Sequence, residues 1–272
     1  MCTVTFIARR KGYALGMNRD EKLTRVTALP PSIHRMKGRV ALYPSEPKGG
    51  TWIGVTDTGV TLALINWYAI ARRVAEAPLS RGELVQRALA GDSPEVADRI
   101  LAKSPLARVN PFRLIGVFPG TTEILEWRWD LQVLGRIAHP WQTAIWISSG
   151  FDEAGAQRTR GNAFAEALRE SAQDDLDWLR RLHRSHAPNR GPYSVCMHRA
   201  DAATVSYTEV AVEERVATMT YHPGPPCCES ASCVCHLPLR DGPSRRHLSF
   251  MSTSPAHSAP GDLRRCCSIS PR

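Results

Sequence analysis

Long hydrophobic segments are missing from this chain of 272 residues. No run approaches the roughly 18 apolar residues that a membrane-spanning helix needs. The first apolar stretch is interrupted by Arg9, Arg10 and Lys11, so the long apolar core of a secretory signal peptide is also missing. Cysteine is scarce through residue 226, where only Cys2 and Cys196 occur. A disulfide framework is therefore not expected there, and a cytoplasmic protein without a membrane span is predicted.

Basic residues do not form a block interleaved with aromatics, although the formal net charge is +9. Helix-turn-helix and zinc-finger spacings are also missing, so nucleic acid is not predicted as a partner. Arginines and histidines do cluster between residues 180 and 190. Such a cluster is typical of a solvated helix face, with the binding of an anionic ligand as the alternative.

What is present indicates a folded α+β protein. Hydrophobic residues make up 43% of the chain and charged residues 22%, which is ordinary for a globular domain. Hydrophobic periodicity predicts strands and helices in separate groups, which favours mainly antiparallel sheets. The predicted strands span 2–9, 13–17, 51–55, 60–66, 112–118, 124–129, 143–147, 194–197, 204–212 and 215–221, and the predicted helices 80–90, 94–103, 157–171 and 174–183.

The pattern changes after Tyr221, where proline, serine, arginine and glycine dominate. Such a segment cannot bury enough apolar surface to offset the entropy of ordering it. We therefore predict a domain at 1–226 and a disordered Pro/Ser/Cys-rich tail at 227–272. The tail carries soft metal ligands in Cys227, Cys233, Cys235 and His236. Their spacing matches no standard zinc module, so no metal site is predicted.

The N-terminal segment predicts a β-hairpin. Residues 2–9 alternate in the manner of a strand, and Gly12 closes a short loop before a second apolar run. In the register that places Arg9 opposite Tyr13, Cys2 falls opposite Asp20; a one-residue slip would place Arg19 or Glu21 there. Two interpretations are open: a polar hairpin end that is only solvated, and a functional site at the start of the chain.

Cys2 has the chemistry for the second interpretation. Its small side chain permits removal of Met1, which would leave Cys2 with a thiol and a free α-amine. An α-amine has a pKa of about 7.7–8.0 and can act as general base toward its own side chain. Arg19 would favour the reactive thiolate, and Asp20 would orient the amine.

Other side chains are candidates with alternatives. Trp52 and Trp67 flank the candidate site and either line a substrate pocket or belong to the core. His198 either ligates a metal or transfers protons, or is merely hydrogen-bonded at a strand end. Cys196 is expected to be a buried strand residue.

Three ordered motifs carry a family resemblance. The chain begins MCTVTFIARRKGYALGMNRDE and continues later with GGTWIGVTDTGVTLALINW. The Met-Cys start, the box at residues 18–21, the Gly-Gly-Thr-Trp segment at residues 49–54 and the strand ending in Asn66 resemble the NRDE family, also called the transport and Golgi organisation 2 family. The resemblance runs from residue 1 to about residue 226.

That resemblance implies a four-layer αββα sandwich of N-terminal nucleophile hydrolase type, similar to penicillin V acylase and bile salt hydrolase. It implies that Cys2 is the nucleophile. Asn18, Arg19 and Asp20 match an Asn-x-Asp segment of those hydrolases, and Asn66 matches a strand-end position that helps to form their oxyanion hole.

The chain departs from those hydrolases at three places. Met17 stands where they carry an arginine, for which Arg19 is the nearest substitute. Ser149 stands at the position of a later strand-end asparagine. Their late arginine near the nucleophile has no equivalent, and His198 and Arg199 are the nearest cations.

Two functions are consistent with these residues. The first is an N-terminal cysteine hydrolase or acyltransferase that acts on an amide or ester bond of a small molecule without a cofactor. The alternative, which the family resemblance implies because relatives are linked to haem trafficking, is a non-catalytic protein that binds or traffics haem or another hydrophobic anion in the same pocket. In that case Cys2 or His198 would contact iron and the arginines a propionate.

Overall fold

The computed structural model describes residues 2–36, 38–76, 78–169, 175–240 and 268–269. These residues form two seven-stranded sheets, four α-helices and one 3₁₀ turn. The strands are β1 Cys2–Ala8, β2 Tyr13–Lys22, β3 Leu29–Met36, β4 Arg39–Ser45, β5 Ile53–Thr56, β6 Thr61–Asn66, β7 Phe112–Phe118, β8 Glu123–Trp129, β9 Leu134–His139, β10 Ala144–Ser148, β11 Ala202–Val212, β12 Val216–Pro223, β13 Cys233–Pro238 and β14 Ser268–Ile269. The helices are α1 Arg81–Ala88, α2 Pro94–Ala102, α3 Glu153–Ala167 and α4 Leu176–Arg184, with the 3₁₀ turn at Leu106–Arg108.

Both sheets are antiparallel throughout. The first sheet has the order β10-β1-β2-β11-β12-β13-β14, and the second sheet runs β3-β4-β5-β6-β7-β8-β9. The strand of Cys2 thus lies between β2 and β10, one position from an edge of the first sheet. Asn66 ends β6, a central strand of the second sheet.

Three apolar cores separate four layers. Val4, Leu15 and Ile53 belong to a core between the two sheets. A second core lies between the second sheet and helices α1 and α2, and a third between the first sheet and helices α3 and α4. This arrangement is a four-layer αββα sandwich, which confirms the predicted fold class.

The helices begin where side-chain oxygens cap them. Ser93 Oγ accepts from the backbone N–H of Val96 before Pro94 opens α2. Asp152 caps α3 in the same way, with its Oδ1 2.9 Å from the backbone nitrogen of Gly155. Among the described residues, no helix is both long and apolar enough to span a membrane.

The N-terminal hairpin forms as predicted, but its register differs by one residue. Ala8 pairs with Tyr13, so Cys2 lies opposite Arg19 and not opposite Asp20. Gly12 has φ +87° as expected, and a Cβ at Gly12 would lie 1.9 Å from the carbonyl oxygen of Val212. Hydrophobic alternation could not select this register, because β1 is buried on both faces.

The predicted disordered tail begins inside the fold, and the prediction is wrong for residues 227–240. Strand β13 pairs along its whole length with β12. Its alternate residues Cys235 and Leu237 are buried in the core between the sheets. Two buried side chains and a complete hydrogen-bonded ladder are sufficient to order this short stretch despite its prolines. Residues 241–267 and 270–272 lie outside the described residues.

Candidate active site

A cavity of about 340 Å³ opens beside the start of β1, and residues of both sheets line it. Cys2, Arg19 and Asp20 border it from the first sheet. Trp52 and Asn66 border it from the second sheet and the turn before β5. Five of the nine side chains predicted from the sequence therefore meet around one cavity.

Cys2 lies at the junction of three strands. It pairs with Arg19 of β2 on one side and with Ser148 of β10 on the other, and 7% of its surface is exposed. Burial raises the pKa of the Cys2 thiol above its ordinary value. The positive charge at the chain's amino end opposes this increase, as do Arg19 and a backbone hydrogen bond from Asp20, while the Asp20 charge adds to it. The thiol therefore needs a proton acceptor close by to become nucleophilic.

Arg19 lies on the same face of the sheet as Cys2. Its guanidinium carbon is 4.5 Å from the centroid of the Trp52 ring, a cation–π contact. Its Nη2 donates to Glu46 Oε1, and Glu21 Oε2 lies 3.8 Å away. The guanidinium is thus held rigidly across from the thiol, with much of its charge balanced by carboxylates.

Asp20 points toward the helix layer on the other face of the first sheet. Arg160 Nη1 of α3 donates to Asp20 Oδ2 at 3.0 Å, and Thr204 Oγ1 donates to Oδ1 at 2.7 Å. Arg160 is fully buried, and the same Nη1 also donates to Thr3 Oγ1 at 2.7 Å. The Asp20 carboxylate therefore joins α3 to the sheet directly behind Cys2.

Asn18 does not border the cavity. Its Nδ2 donates at 2.9 Å to two carbonyl oxygens, those of His183 at the end of α4 and of Val195. Strand alternation turns Asn18 and Asp20 to the face opposite Arg19. In this structure the amide docks α4 and the following loop on β2, and the predicted catalytic role of Asn18 stays a prediction.

Asn66 and Trp52 form the wall contributed by the second sheet. Asn66 Nδ2 donates to Tyr68 Oη at 2.8 Å, which fixes the amide at the end of β6. Trp52 is 6% exposed and belongs both to the core and to the cavity wall. Its buried Nε1 has no hydrogen-bond partner among the described residues, so a polar donor is left next to the cavity.

Trp67 and Ser149 lie away from the cavity lining. The guanidinium carbon of Arg128 instead lies over the Trp67 ring, 5.9 Å from the ring centroid. Ser149 is buried beyond the end of β10, and its Oγ accepts from the backbone N–H of Phe151. Its neighbour Ser148 is the residue paired with Cys2, and the substrate-binding role of Ser149 stays a prediction.

His198 also lies outside the cavity lining. Its Nε2 is 3.2 Å from His186 Nε2, and two cysteine sulfurs are nearly as close. The residues of this cluster lie in the segments after α4, before β11 and after β12.

Arg81 was missed by the sequence analysis, although it borders the cavity at the first residue of α1. Its Nη1 donates to the carbonyl oxygen of Pro111 at 3.2 Å. Unlike Arg19 and Arg25, it makes no ion pair among the described residues. Burial lowers the pKa of Arg81, and nearby Tyr68 opposes that decrease. A cation at a helix N-terminus opposes the helix dipole, and that conflict was the available signal in the sequence.

The sandwich and the cysteine that starts β1 at a cavity between the sheets define the class: the chain has an N-terminal nucleophile hydrolase fold. Penicillin V acylase from Agrobacterium tumefaciens superposes with a TM-score of 0.51 at 12% identity, over 80% of this chain and 82% of that chain. The C2A mutant of conjugated bile acid hydrolase from Clostridium perfringens superposes with a TM-score of 0.53 at 9% identity, over 92% of this chain and 100% of that chain. A second variant of that hydrolase gives a TM-score of 0.52 at 8% identity.

Residues 1–125 match the family described as Transport and Golgi organisation 2. The resemblance predicted from the three motifs is therefore confirmed over this part of the chain, which contains all of them. The match ends before the predicted limit near residue 226. Comparison with curated proteins found no match.

Proposed function

We propose that this protein is an N-terminal cysteine hydrolase or acyltransferase that acts on an amide or ester bond of a small molecule. The observation that carries the proposal is the position of Cys2, at the first residue of β1 and on the wall of the cavity. Arg19 lies across from it in the sheet, and Asn66 approaches from the other sheet.

The reaction begins with the α-amine that Cys2 carries once Met1 has been removed. This amine takes the thiol proton, and the thiolate attacks the substrate carbonyl. Burial raises the thiol pKa, so an internal base next to the sulfur is what makes the attack possible. Asp20, which borders the cavity with its carboxylate fixed by Arg160, is the positioning group for that amine.

The tetrahedral intermediate carries an oxyanion. Asn66 Nδ2 and the unpartnered Nε1 of Trp52 are the donors on the cavity wall for that charge. The C–N or C–O bond then breaks, and the protonated amine returns its proton to the leaving group. Water attacks the resulting thioester to release the acid, or an acceptor amine or alcohol takes the acyl group.

Arg81 indicates the kind of substrate. The cavity is lined largely by charged and polar groups, and Arg19 and Arg25 are already paired with Glu46. Among the described residues, the one hydrogen-bond partner of Arg81 is a carbonyl oxygen, and Arg81 stands at the positive end of α1. A carboxylate on the substrate would complete its hydrogen bonds, so an acyl compound that carries an anionic group fits best.

Haem binding is supported less well by this geometry. His198, one of the two iron ligands suggested for that function, is not part of the cavity lining. The polar walls also differ from the flat apolar surfaces that usually hold a haem ring.

The proposal is tested with nitrophenyl esters and nitroanilides whose acyl chains end in a carboxylate or in a methyl group. We expect release of the chromophore, faster for the carboxylate series, and its loss in Cys2→Ala. Cys228→Ser is the matched control, because Cys228 is exposed and lies outside the cavity lining. Equal turnover by Cys2→Ala would reject the proposal.

A further inference from the structure

We propose a second site in this protein: His186, Cys196, His198 and Cys227 form a tetrahedral site for a structural zinc ion. The four ligand atoms all lie within 4.8 Å of one another. None of these residues borders the cavity beside Cys2. The site is therefore distinct from the proposed acyl-transfer chemistry.

The distances between ligand atoms match the edges of a zinc tetrahedron. With Zn–N of about 2.0–2.1 Å and Zn–S of about 2.3 Å, those edges are about 3.3 Å for two nitrogens and about 3.6 Å for nitrogen and sulfur. His198 Nε2 is 3.2 Å from His186 Nε2, 3.5 Å from Cys196 Sγ and 3.4 Å from Cys227 Sγ. A single ion at the centre would replace these close approaches with bonds to all four residues.

Separate segments of the chain supply the ligands. His186 follows α4 by two residues, and Cys196 and His198 flank Met197 in the loop before β11. Cys227 follows β12. Because the ligands come from three segments, no linear spacing could reveal the site. The Cys227 thiolate would come from the stretch predicted from sequence to be disordered.

Two thiolates and two imidazoles select the metal. This donor set suits zinc, whereas magnesium and calcium prefer oxygen ligands. Four protein ligands leave no open position for water or substrate, which is typical of a structural ion. Cys196 is fully buried and the other three residues are partly exposed, so an ion has a path of entry.

Arg190 is the one cation placed against the cluster by a described contact. Its Nη2 lies 3.3 Å from His198 Nδ1 and can donate to that nitrogen only when it carries no proton. Zinc bound at Nε2 requires the proton on Nδ1, so the guanidinium must turn away when metal binds. Arg190 is exposed and free to do so.

The ion would stabilise the region behind Cys2. The backbone N–H of Met197, between two of the ligands, donates to Thr204 Oγ1 at 2.9 Å. Thr204 Oγ1 in turn donates to Asp20 Oδ1 at 2.7 Å. Zinc would therefore hold in place the loop that is hydrogen-bonded, through Thr204, to Asp20.

The full-length protein, purified under reducing conditions, tests the site by elemental analysis and by cobalt substitution. We expect bound zinc that survives dialysis, and a Co²⁺ derivative with the visible bands of tetrahedral cobalt and with thiolate charge-transfer absorption. Removal of zinc with a strong chelator should lower the melting temperature, and zinc should restore it. Reduced protein that binds neither ion, or a cobalt spectrum without thiolate absorption, would overturn the proposal.

Matched variants separate this cluster from the other cysteines. Cys227→Ser and His186→Gln change partly exposed ligands, and each should weaken Co²⁺ binding by about 100-fold or more. Cys228→Ser changes the adjacent exposed thiol and should bind cobalt as the parent protein does. Unchanged binding in Cys227→Ser, or equal loss in Cys228→Ser, would contradict the assignment. Circular dichroism of each variant without metal checks that the fold is retained.

Discussion

Arg19 and Asp20 are neighbours in the chain but belong to different parts of the molecule. Arg19 lies between the sheets, against Trp52 and across from Cys2. Asp20 lies on the opposite face of β2, where Arg160 and Thr204 hold its carboxylate beneath the helix layer. One four-residue box therefore serves two surfaces. The Arg19 side chain lies on the cavity face of β2, whereas the Asp20 carboxylate, at the back of the cavity, anchors the helix layer behind Cys2.

The two faces differ in what a substitution should change. On the cavity face, a truncated side chain is replaced by solvent or substrate, so activity should change more than stability. On the helix face, the Asp20–Arg160 pair is wholly buried. Removal of one partner leaves a charge without compensation in a low-dielectric environment, so stability should change first.

Cys2→Ala should have the largest effect of these variants, and it should change activity without changing stability. We expect acyl turnover to fall by about 10⁴-fold or more, because the nucleophile is lost. The midpoint of urea unfolding should stay close to that of the parent, since alanine fits the space and no described side chain depends on the thiol. Turnover assays and urea titrations check both halves. A large loss of stability would place Cys2 among the structural residues.

Asp20→Asn should destabilise the protein and, because Asp20 positions the α-amine in the proposed mechanism, should also slow the acylation of Cys2. We expect a loss of about 3–5 kcal/mol in the free energy of unfolding, because the buried Arg160 loses its counter-charge. Chemical denaturation at pH 7 measures the loss. Glu21→Gln is the matched control on the same strand, and its partly exposed ion pairs should contribute less than about 1 kcal/mol.

Stability and labelling of Asp20→Asn together separate the two roles of Asp20. If the variant is as stable as the parent but labels slowly at Cys2, Asp20 acts on the α-amine more than on the helix layer.

Acid should lower the free energy of unfolding through His183, which is buried on the helix face of the first sheet. Burial, with help from Arg160, lowers the pKa of His183 from 6.5 to about 3. The neutral imidazole is therefore favoured in the folded state, and its contribution is fully present above pH 6.5 and is lost as pH falls toward 3. Between pH 7 and pH 5 we expect a loss of about 2 kcal/mol in the free energy of unfolding.

Urea midpoints at the two pH values check this, with His183→Gln as the comparison because glutamine does not titrate. A parent and a variant with the same pH slope would contradict the assignment to His183.

Arg81→Gln should have the smallest effect of these variants. The effect should be on substrate binding in the cavity and not on stability. If Arg81 binds an anionic substrate group, KM for carboxylate-bearing substrates should rise about tenfold with little change in kcat, in line with the loss of one charge-assisted contact. Arg25→Gln is the matched control, because Arg25 is already paired with Glu21 and Glu46. Equal effects of the two variants on KM would contradict the proposal that Arg81 binds the anionic group of the substrate.

Much of this architecture was predictable from the sequence. The helices, the central strands and the family motifs follow from periodicity, capping residues and the box at residues 18–21. Strand β3 was missed because Pro30 and Pro31 argue against a strand, yet the strand lies at a sheet edge, where proline is tolerated. Strand β13 was missed because its burial depends on β12 and on the opposite sheet, neither of which a local pattern reveals.

The site was predictable only at residues that belong to the family motifs. Cys2, Arg19 and Asn66 come from motif positions, and the structure brings them together. Ser149 comes from the family resemblance alone, and in the structure it lies outside the cavity lining. Arg81 and the cluster at His198 depend on contacts between distant segments, so tertiary structure was needed to find them.

The central claim is that Cys2 is the nucleophile at a free chain start. Its most direct test is mass spectrometry of the native protein after brief exposure to a limiting electrophilic acyl probe. The account predicts an intact mass for a chain that starts at Cys2, and an acyl adduct that maps to buried Cys2 ahead of exposed Cys228. A retained Met1, or an adduct that appears on the exposed thiols as fast as on Cys2, would contradict it.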